Sequence, residues 1–117
     1  MLLTENEIQT HLSDLKEWTY VGGKIQKEIT MHNWKGVMLL TNAIAHIAET
    51  AWHHPELHLS FSTIKILLET HDEGGITNKD IAMAKKIDEL LSWNPKEDDG
   101  PLEGIPDTVE FHYLKED

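Results

Sequence analysis

The chain has 117 residues, no cysteine, and 21 acidic against 10 basic side chains, which gives a formal net charge of −11 at pH 7. That length predicts one domain. The acidic balance argues against nucleic acid and anionic membranes as partners, because both select clustered lysine and arginine. Without cysteine, no disulfide framework or thiolate metal site is predicted, and we expect a cytoplasmic protein. The polar N-terminus and the lack of a long apolar run predict neither a signal peptide nor a membrane helix.

The first third of the chain predicts a helix and a β-hairpin. Thr4 and Glu7 have the spacing of a capping box at the start of a short amphipathic helix near residues 5–15. Residues 18–31 predict two strands, because Gly22-Gly23 between them supplies the positive φ that a tight turn needs.

The centre of the chain predicts its longest helix, near residues 34–52, with Asn33 as the N-cap. The apolar residues of this helix cover a wide arc, which predicts that a sheet or another subunit covers it. Pro55 ends the helix, because the residue before a proline is pushed out of the α region.

The alternating runs 57–61 and 64–69 predict two further strands, although the turn between them has no glycine or proline, so one long bent strand is an alternative. Thr77 and Asp80 form a second capping box, at the start of a helix near 78–91. The order α-β-β-α-β-β-α predicts an α+β fold, a four-stranded antiparallel sheet with helices packed on one face.

The composition shifts to proline, glycine and aspartate from Asn94 onward. This shift predicts a loop or tail, with a short strand at 109–114. We therefore expect one domain over residues 1–95 and a C-terminal tail over 96–117.

Four of the eight histidines lie between residues 49 and 80, namely His53, His54, His58 and His71. A helix end at 53–54 and a strand end at 71 can meet at one rim of a two-layer domain. Imidazoles titrate near neutrality, so two or three in one cleft can donate one proton and remove another.

Structural explanations compete with this chemical one. Cations near a helix C-terminus are stabilised by the helix dipole, which would account for His53 and His54. Glu49, four residues before His53, can accept from that imidazole on a continuous helix. Asp80 stands where a carboxylate caps a helix, so its first expected role is structural.

A metal site is the main chemical alternative, because imidazole and carboxylate bind zinc and iron. The spacing argues against it, because adjacent histidines on a helix point in different directions and Pro55 separates His54 from His58. The chain has neither a nucleophile motif nor a phosphate-binding loop. The residues alone therefore predict acid/base chemistry without a cofactor, or no chemistry.

At these residues the sequence resembles the pterin-4a-carbinolamine dehydratases. The resemblance lies in Glu49-x3-His53-His54-Pro55, in the aromatic Phe61, and in Thr70-His71-Asp72-x-Gly74-Gly75-Ile76-Thr77-x-x-Asp80, and it extends more loosely over residues 4–93. It implies dehydration of a 4a-hydroxytetrahydropterin, such as 4a-hydroxytetrahydrobiopterin, to the quinonoid dihydropterin. That reaction recycles the cofactor of aromatic amino acid hydroxylases and needs no metal or redox cofactor.

The resemblance also implies roles for individual residues. His53 and His71 correspond to the acid/base histidines and His54 to one that holds the substrate. Glu49 and Asp80 would orient imidazoles or the pterin, and Phe61 would bind the substrate, while His58 is expected to be a bystander.

The resemblance implies a homodimer or homotetramer formed through sheet edges and the long helix. A non-catalytic pterin-binding or dimerisation module on the same fold is the alternative from another functional class. Family members usually carry aromatic residues at positions that here hold Leu57, His58, Ile29 and Met31. The wall of the pterin pocket, and with it the preferred pterin side chain, is therefore left open.

Overall fold

A computed structural model describes residues 1–108 as three helices and one antiparallel sheet. The sheet has four strands in the order β1-β2-β4-β3. In chain order the helices and strands are α1 (Glu5–Leu12), β1 (Thr19–Val21), β2 (Lys24–Thr30), α2 (Trp34–Ala51), β3 (Glu56–Leu59), β4 (Thr63–Leu68) and α3 (Asn78–Ser92). The α+β fold and the element order predicted from the sequence are confirmed.

Both predicted capping boxes are present, and they explain where α1 and α3 begin. The Thr4 hydroxyl accepts from the Glu7 N–H while Glu7 accepts from the Thr4 N–H, and Thr77 and Asp80 cap α3 in the same reciprocal way. Helix α1 is shorter than predicted, because the chain turns after Leu12 and Glu17 takes a positive φ of 69°.

The runs on either side of Phe61 form two strands rather than one bent strand. Leu59 pairs with Ile64, and the Ser60 N–H donates to the Thr63 carbonyl at 3.0 Å, which closes a tight hairpin.

Alternation along the central strands separates a buried face of the sheet from an open one. Ile64, Ile66 and Leu68 of β4 are fully buried, while the residues between them are partly exposed. The remaining core comes from β2, α2 and α3, chiefly Ile25, Val37, Leu40, Ile44, Ile81, Ala84 and Ile87. Polar groups on the open face are therefore accessible to solvent and to a ligand.

Residues 1–108 cover one line of the apolar arc of α2. Val37, Leu40 and Ile44 are buried against the sheet, whereas Trp34 and Leu39 remain largely exposed. No helix in residues 1–108 combines the length and the apolar character needed to cross a membrane.

The described part of the tail contains a 3-10 turn at Pro95–Glu97 and an ion pair between Lys96 and Asp107 at 2.6 Å. The strand predicted at 109–114 lies outside the described residues. The division of the chain into 1–95 and 96–117 stays a prediction.

One carboxylate ties α3 to the β-hairpin. Asp88 Oδ1 accepts from the Trp18 indole N–H and from Lys27 Nζ, each at 3.0 Å. Trp18 is buried and Lys27 nearly so, which makes this contact more consequential than a surface ion pair.

Replacing Asp88 with alanine should therefore lower the free energy of unfolding by about 2 kcal/mol, because a buried N–H and a mostly buried ammonium lose their acceptor. Urea denaturation measures this loss. The neighbouring Glu89 makes an exposed pair with Lys86, and Glu89→Ala should cost less than about 0.5 kcal/mol. Equal losses of unfolding free energy in the two variants would show that Asp88 does not stabilise the contact between α3 and the β-hairpin.

Candidate active site

A cavity of about 390 Å³ opens beside the end of α2, where the first residues of β2 and β3 meet the end of β4. Its size is that of a small-molecule site. The cavity is lined by Lys24, His54, Pro55, Glu56, Leu67, Glu69 and His71. Two of the three predicted site histidines therefore face one space.

The turn that ends α2 sends the two adjacent histidines in different directions. Trp52 adopts a left-handed conformation with φ 53° and ψ 47°. The His53 N–H donates to the Ala48 carbonyl at 3.1 Å and the Trp52 N–H to the Glu49 carbonyl at 3.3 Å, which is the pattern of a Schellman motif. His53 consequently turns inward, with a side chain 13% exposed, and His54 turns outward.

Glu49 contacts His54 rather than His53. Its Oε1 lies 2.5 Å from His54 Nε2, so the pairing expected for a continuous helix is wrong. The left-handed residue Trp52 ends the helical register before His53 is reached. The Trp52 ring also meets the His54 ring edge to face, with centroids 5.0 Å apart, so that His54 has contacts on two sides.

His53 is held by a fully buried carboxylate. Its Nε2 lies 2.7 Å from Asp80 Oδ1, while Asp80 Oδ2 accepts from the Thr70 hydroxyl at 2.8 Å and from the Thr77 N–H at 2.9 Å. An ionised carboxylate only accepts hydrogen bonds, so the His53 tautomer with a proton on Nε2 can donate to Asp80. Asp80 thus both caps α3, as the sequence predicts, and orients an imidazole.

His71 lies at the mouth of the cavity with a side chain 94% exposed. It begins a 3-10 turn, His71–Glu73, rather than ending a strand. The turn can reverse because Gly74 takes a φ of 71°, and the Thr70 N–H closes it by donating to the Gly75 carbonyl at 2.8 Å. His71 Nδ1 lies 4.0 Å from Glu69 Oε1.

Glu56 is a permanently charged part of the cavity wall. It accepts from His58 and, at 2.9 Å, from Lys24 Nζ. The hydrogen bond from His58, followed by that from Lys24, lowers the pKa of Glu56 to about 2. The same contact with Glu56 raises the pKa of Lys24. Glu56 therefore has no proton to give near neutral pH.

Four residues at the site were not predicted from the sequence to belong to it: Lys24, Glu56, Glu69 and Thr70. Strand pairing brings Lys24 to the cavity from a distant part of the chain, and no local pattern marks it. Glu69 and Thr70 directly precede His71, and that proximity was the only available signal.

Phe61 is not brought to this cavity within one chain. It lies in the turn between β3 and β4, with 69% of its surface exposed. Glu56, which lines the cavity, is at the other end of β3, about 15 Å away at the rise of an extended strand. The substrate-binding role implied for Phe61 stays a prediction.

Within residues 1–108, no three histidine or acidic side chains are grouped in a way that would hold a metal ion. The arrangement instead places an acidic side chain next to each site histidine. Asp80 is beside His53, Glu49 beside His54, and Glu69 near His71. Such a set of groups can donate a proton at one point of a ligand and remove one at another.

The left-handed Trp52 makes a testable contribution to stability. A side chain costs about 1–2 kcal/mol in this conformation and glycine does not, although glycine also raises the entropy of the unfolded chain. Trp52→Gly should therefore raise the free energy of unfolding by about 0.5–1 kcal/mol.

Thermal and urea unfolding measure this change. Ala51→Gly, one residue earlier in the right-handed helix, is the matched control and should lower stability by about 0.5–1 kcal/mol. A stability loss in both variants would show that any strain at Trp52 is smaller than the contribution of its ring contact with His54.

Comparison with known proteins supplies the context of this site. Residues 1–90 match the family model described as pterin 4 alpha carbinolamine dehydratase. A protein from Aquifex aeolicus, provisionally named pterin-4-alpha-carbinolamine dehydratase, is 47% identical over 89 residues, which are 76% of this chain and 90% of that protein. One from Sulfurisphaera tokodaii with the same provisional name is 40% identical over 90 residues, 77% of this chain and 97% of the relative.

The fold is also similar to a solved structure. A Brucella melitensis protein whose structure is titled "transcriptional coactivator/pterin dehydratase" superposes with a TM-score of 0.73 at 29% identity, over 77% of this chain and 98% of the other. All residues predicted for the site lie inside the segment matched by the family model, residues 1–90.

Proposed function

Because this chain belongs to the pterin 4 alpha carbinolamine dehydratase family, we propose that it dehydrates a 4a-hydroxytetrahydropterin, such as 4a-hydroxytetrahydrobiopterin, to the quinonoid dihydropterin. In this role it serves tetrahydropterin recycling. The observation that carries the proposal is the meeting of His54 and His71 at one cavity. His53, the residue before His54, is not in the cavity lining, and its ring is held by Asp80.

The reaction needs one proton delivered and one removed. The C4a–O bond breaks as the hydroxyl takes a proton and leaves as water. The N5–H proton goes to a base, and the N–H electron pair forms the C4a–N5 double bond. Nothing is oxidised or reduced overall, so acid/base groups suffice.

The histidines are the groups suited to these proton transfers. Glu56 stays ionised because its pKa is about 2, so it cannot act as the acid, whereas imidazole changes charge near neutrality. We assign proton transfer to His53 and His71, following the family resemblance, and substrate holding to His54. The contact between His53 Nε2 and Asp80 supports a role for His53, because the buried carboxylate holds the imidazole in one orientation.

A second candidate function is a non-catalytic pterin-binding or dimerisation module on the same fold. The exposed Trp34 and Leu39 on α2 favour a protein contact at that helix. We also expect a homodimer or homotetramer in the cytoplasm, and light scattering of the purified chain would show the assembly.

An assay of 4a-hydroxytetrahydropterin dehydration with a metal chelator present tests the proposal. The expected result is turnover well above the spontaneous rate, unchanged by the chelator. Pterin binding without turnover would indicate that the protein is the non-catalytic binding module and not the enzyme. Turnover that the chelator removes would instead indicate a metal-dependent reaction.

A further inference from the structure

Glu69 is a cavity carboxylate with unused acceptor capacity. Its side chain is 30% exposed and lines the cavity. The nearest cationic groups are Lys24 Nζ at 3.8 Å and His71 Nδ1 at 4.0 Å, both beyond hydrogen-bonding distance. Among the described residues, none donates a hydrogen bond to its carboxylate. A partly buried carboxylate with unused acceptor sites is suited to accept hydrogen bonds from a ligand.

The charges around the cavity indicate which ligand edge would fit. Lys24 donates to Glu56 at 2.9 Å and forms only a longer ion pair with Glu69, at 3.8 Å. One lysine against two glutamates leaves one negative charge in the lining, and no hydrogen bond from Lys24 or His71 reaches the Glu69 carboxylate. Glu69 would repel an anionic ligand group. A ligand edge with adjacent N–H donors would instead hydrogen-bond to the unused carboxylate oxygens of Glu69.

We infer that Glu69 selects the ligand by accepting two parallel hydrogen bonds from an amidine-like edge, which in a pterin is formed by the 2-amino group and N3–H. A carboxylate and two adjacent N–H groups match each other in this fork geometry. The inference rests on the proposed function for the identity of the ligand. It assigns Glu69 to recognition and leaves proton transfer to the histidines.

The test compares 6-methylpterin with 6-methyllumazine, in which an oxygen replaces the 2-amino group. Wild-type protein should bind the pterin about 10–100-fold more tightly, because the lumazine oxygen faces a carboxylate with no donor between them. Glu69→Gln should reduce that preference to about twofold or less, since an amide can present a donor or an acceptor. It should raise KM for the hydroxylated substrate about tenfold or more and change kcat by less than about threefold.

Two further variants keep the inference falsifiable. Glu28→Gln, an exposed carboxylate of β2 that does not line the cavity, should retain the wild-type preference. Glu69→Asp keeps the charge and should retain part of the preference for the pterin. This variant provides the test if Glu69→Gln folds poorly.

An unchanged preference in Glu69→Gln, with pterin turnover intact, would overturn this inference alone. Absence of both pterin binding and turnover in the wild-type protein would overturn the proposed function and this inference with it.

Discussion

Replacing Asp80 with alanine is expected to lower the free energy of unfolding by about 3 kcal/mol and turnover by about 100-fold or more. Asp80 is fully buried, and its carboxylate accepts from the Thr70 hydroxyl and the Thr77 N–H and contacts His53 Nε2. In the variant, these buried groups lose their hydrogen-bond acceptor. It also removes the N-terminal cap of α3 and frees the His53 ring.

Urea denaturation and steady-state kinetics measure the two effects of Asp80→Ala. Asp72→Ala removes an exposed carboxylate from the nearby 3-10 turn and should change stability by less than about 0.5 kcal/mol. Asp80→Asn keeps the volume and one acceptor oxygen, so it should recover part of the stability. If Asp80→Ala were as stable as Asp72→Ala, the buried network would not be important to the fold.

Replacing His71 with alanine is expected to lower dehydratase turnover by about 10²–10⁴-fold while leaving the fold intact. The His71 side chain is 94% exposed, and its nearest charged neighbour, Glu69, is 4.0 Å away. Little packing is therefore lost, and a fall in kcat would report the loss of a proton-transfer group. Circular dichroism and thermal unfolding would verify the fold.

His58→Ala is the matched control for that variant. His58 is also an exposed histidine, but it contacts Glu56 and does not line the cavity. Its variant should keep near-wild-type turnover. Equal turnover in His71→Ala and the wild-type protein would remove His71 from the mechanism.

Local patterns in the sequence predicted most of the fold. The capping pairs Thr4/Glu7 and Thr77/Asp80 mark helix starts because the reciprocal hydrogen bonds involve residues three apart. Alternation along 64–69 predicted a strand with one buried face, and Ile64, Ile66 and Leu68 form that face. These features depend on neighbours in sequence, which is why sequence patterns predict them.

The site was predictable only where its residues are local. The Glu49-to-Pro55 segment and the segment around His71 identified the histidines, and the structure brings His54 and His71 to one cavity. Which histidine meets Glu49 depends on the left-handed conformation of Trp52, a residue type that does not favour it. Helical spacing therefore gave the wrong partner.

Contacts between distant segments were beyond local patterns. Lys24 reaches the cavity because β2 pairs with β4, and Thr70 reaches Asp80 because the His71–Glu73 turn folds back toward α3. Alternation placed Phe61 at the end of a strand but could not show that the cavity forms at the opposite end of that strand, beside Glu56.

The pH dependence of kcat/KM for 4a-hydroxytetrahydropterin dehydration, measured from about pH 5 to 9 with a chelator present, tests most directly whether the histidines carry acid/base catalysis. We expect a bell-shaped profile well above the spontaneous rate, because turnover needs one group protonated and another deprotonated. His71→Ala should abolish most of that acceleration. A rate no faster than the spontaneous reaction, or an acceleration that does not vary with pH and persists in His71→Ala, would show that the histidines do not carry acid/base catalysis.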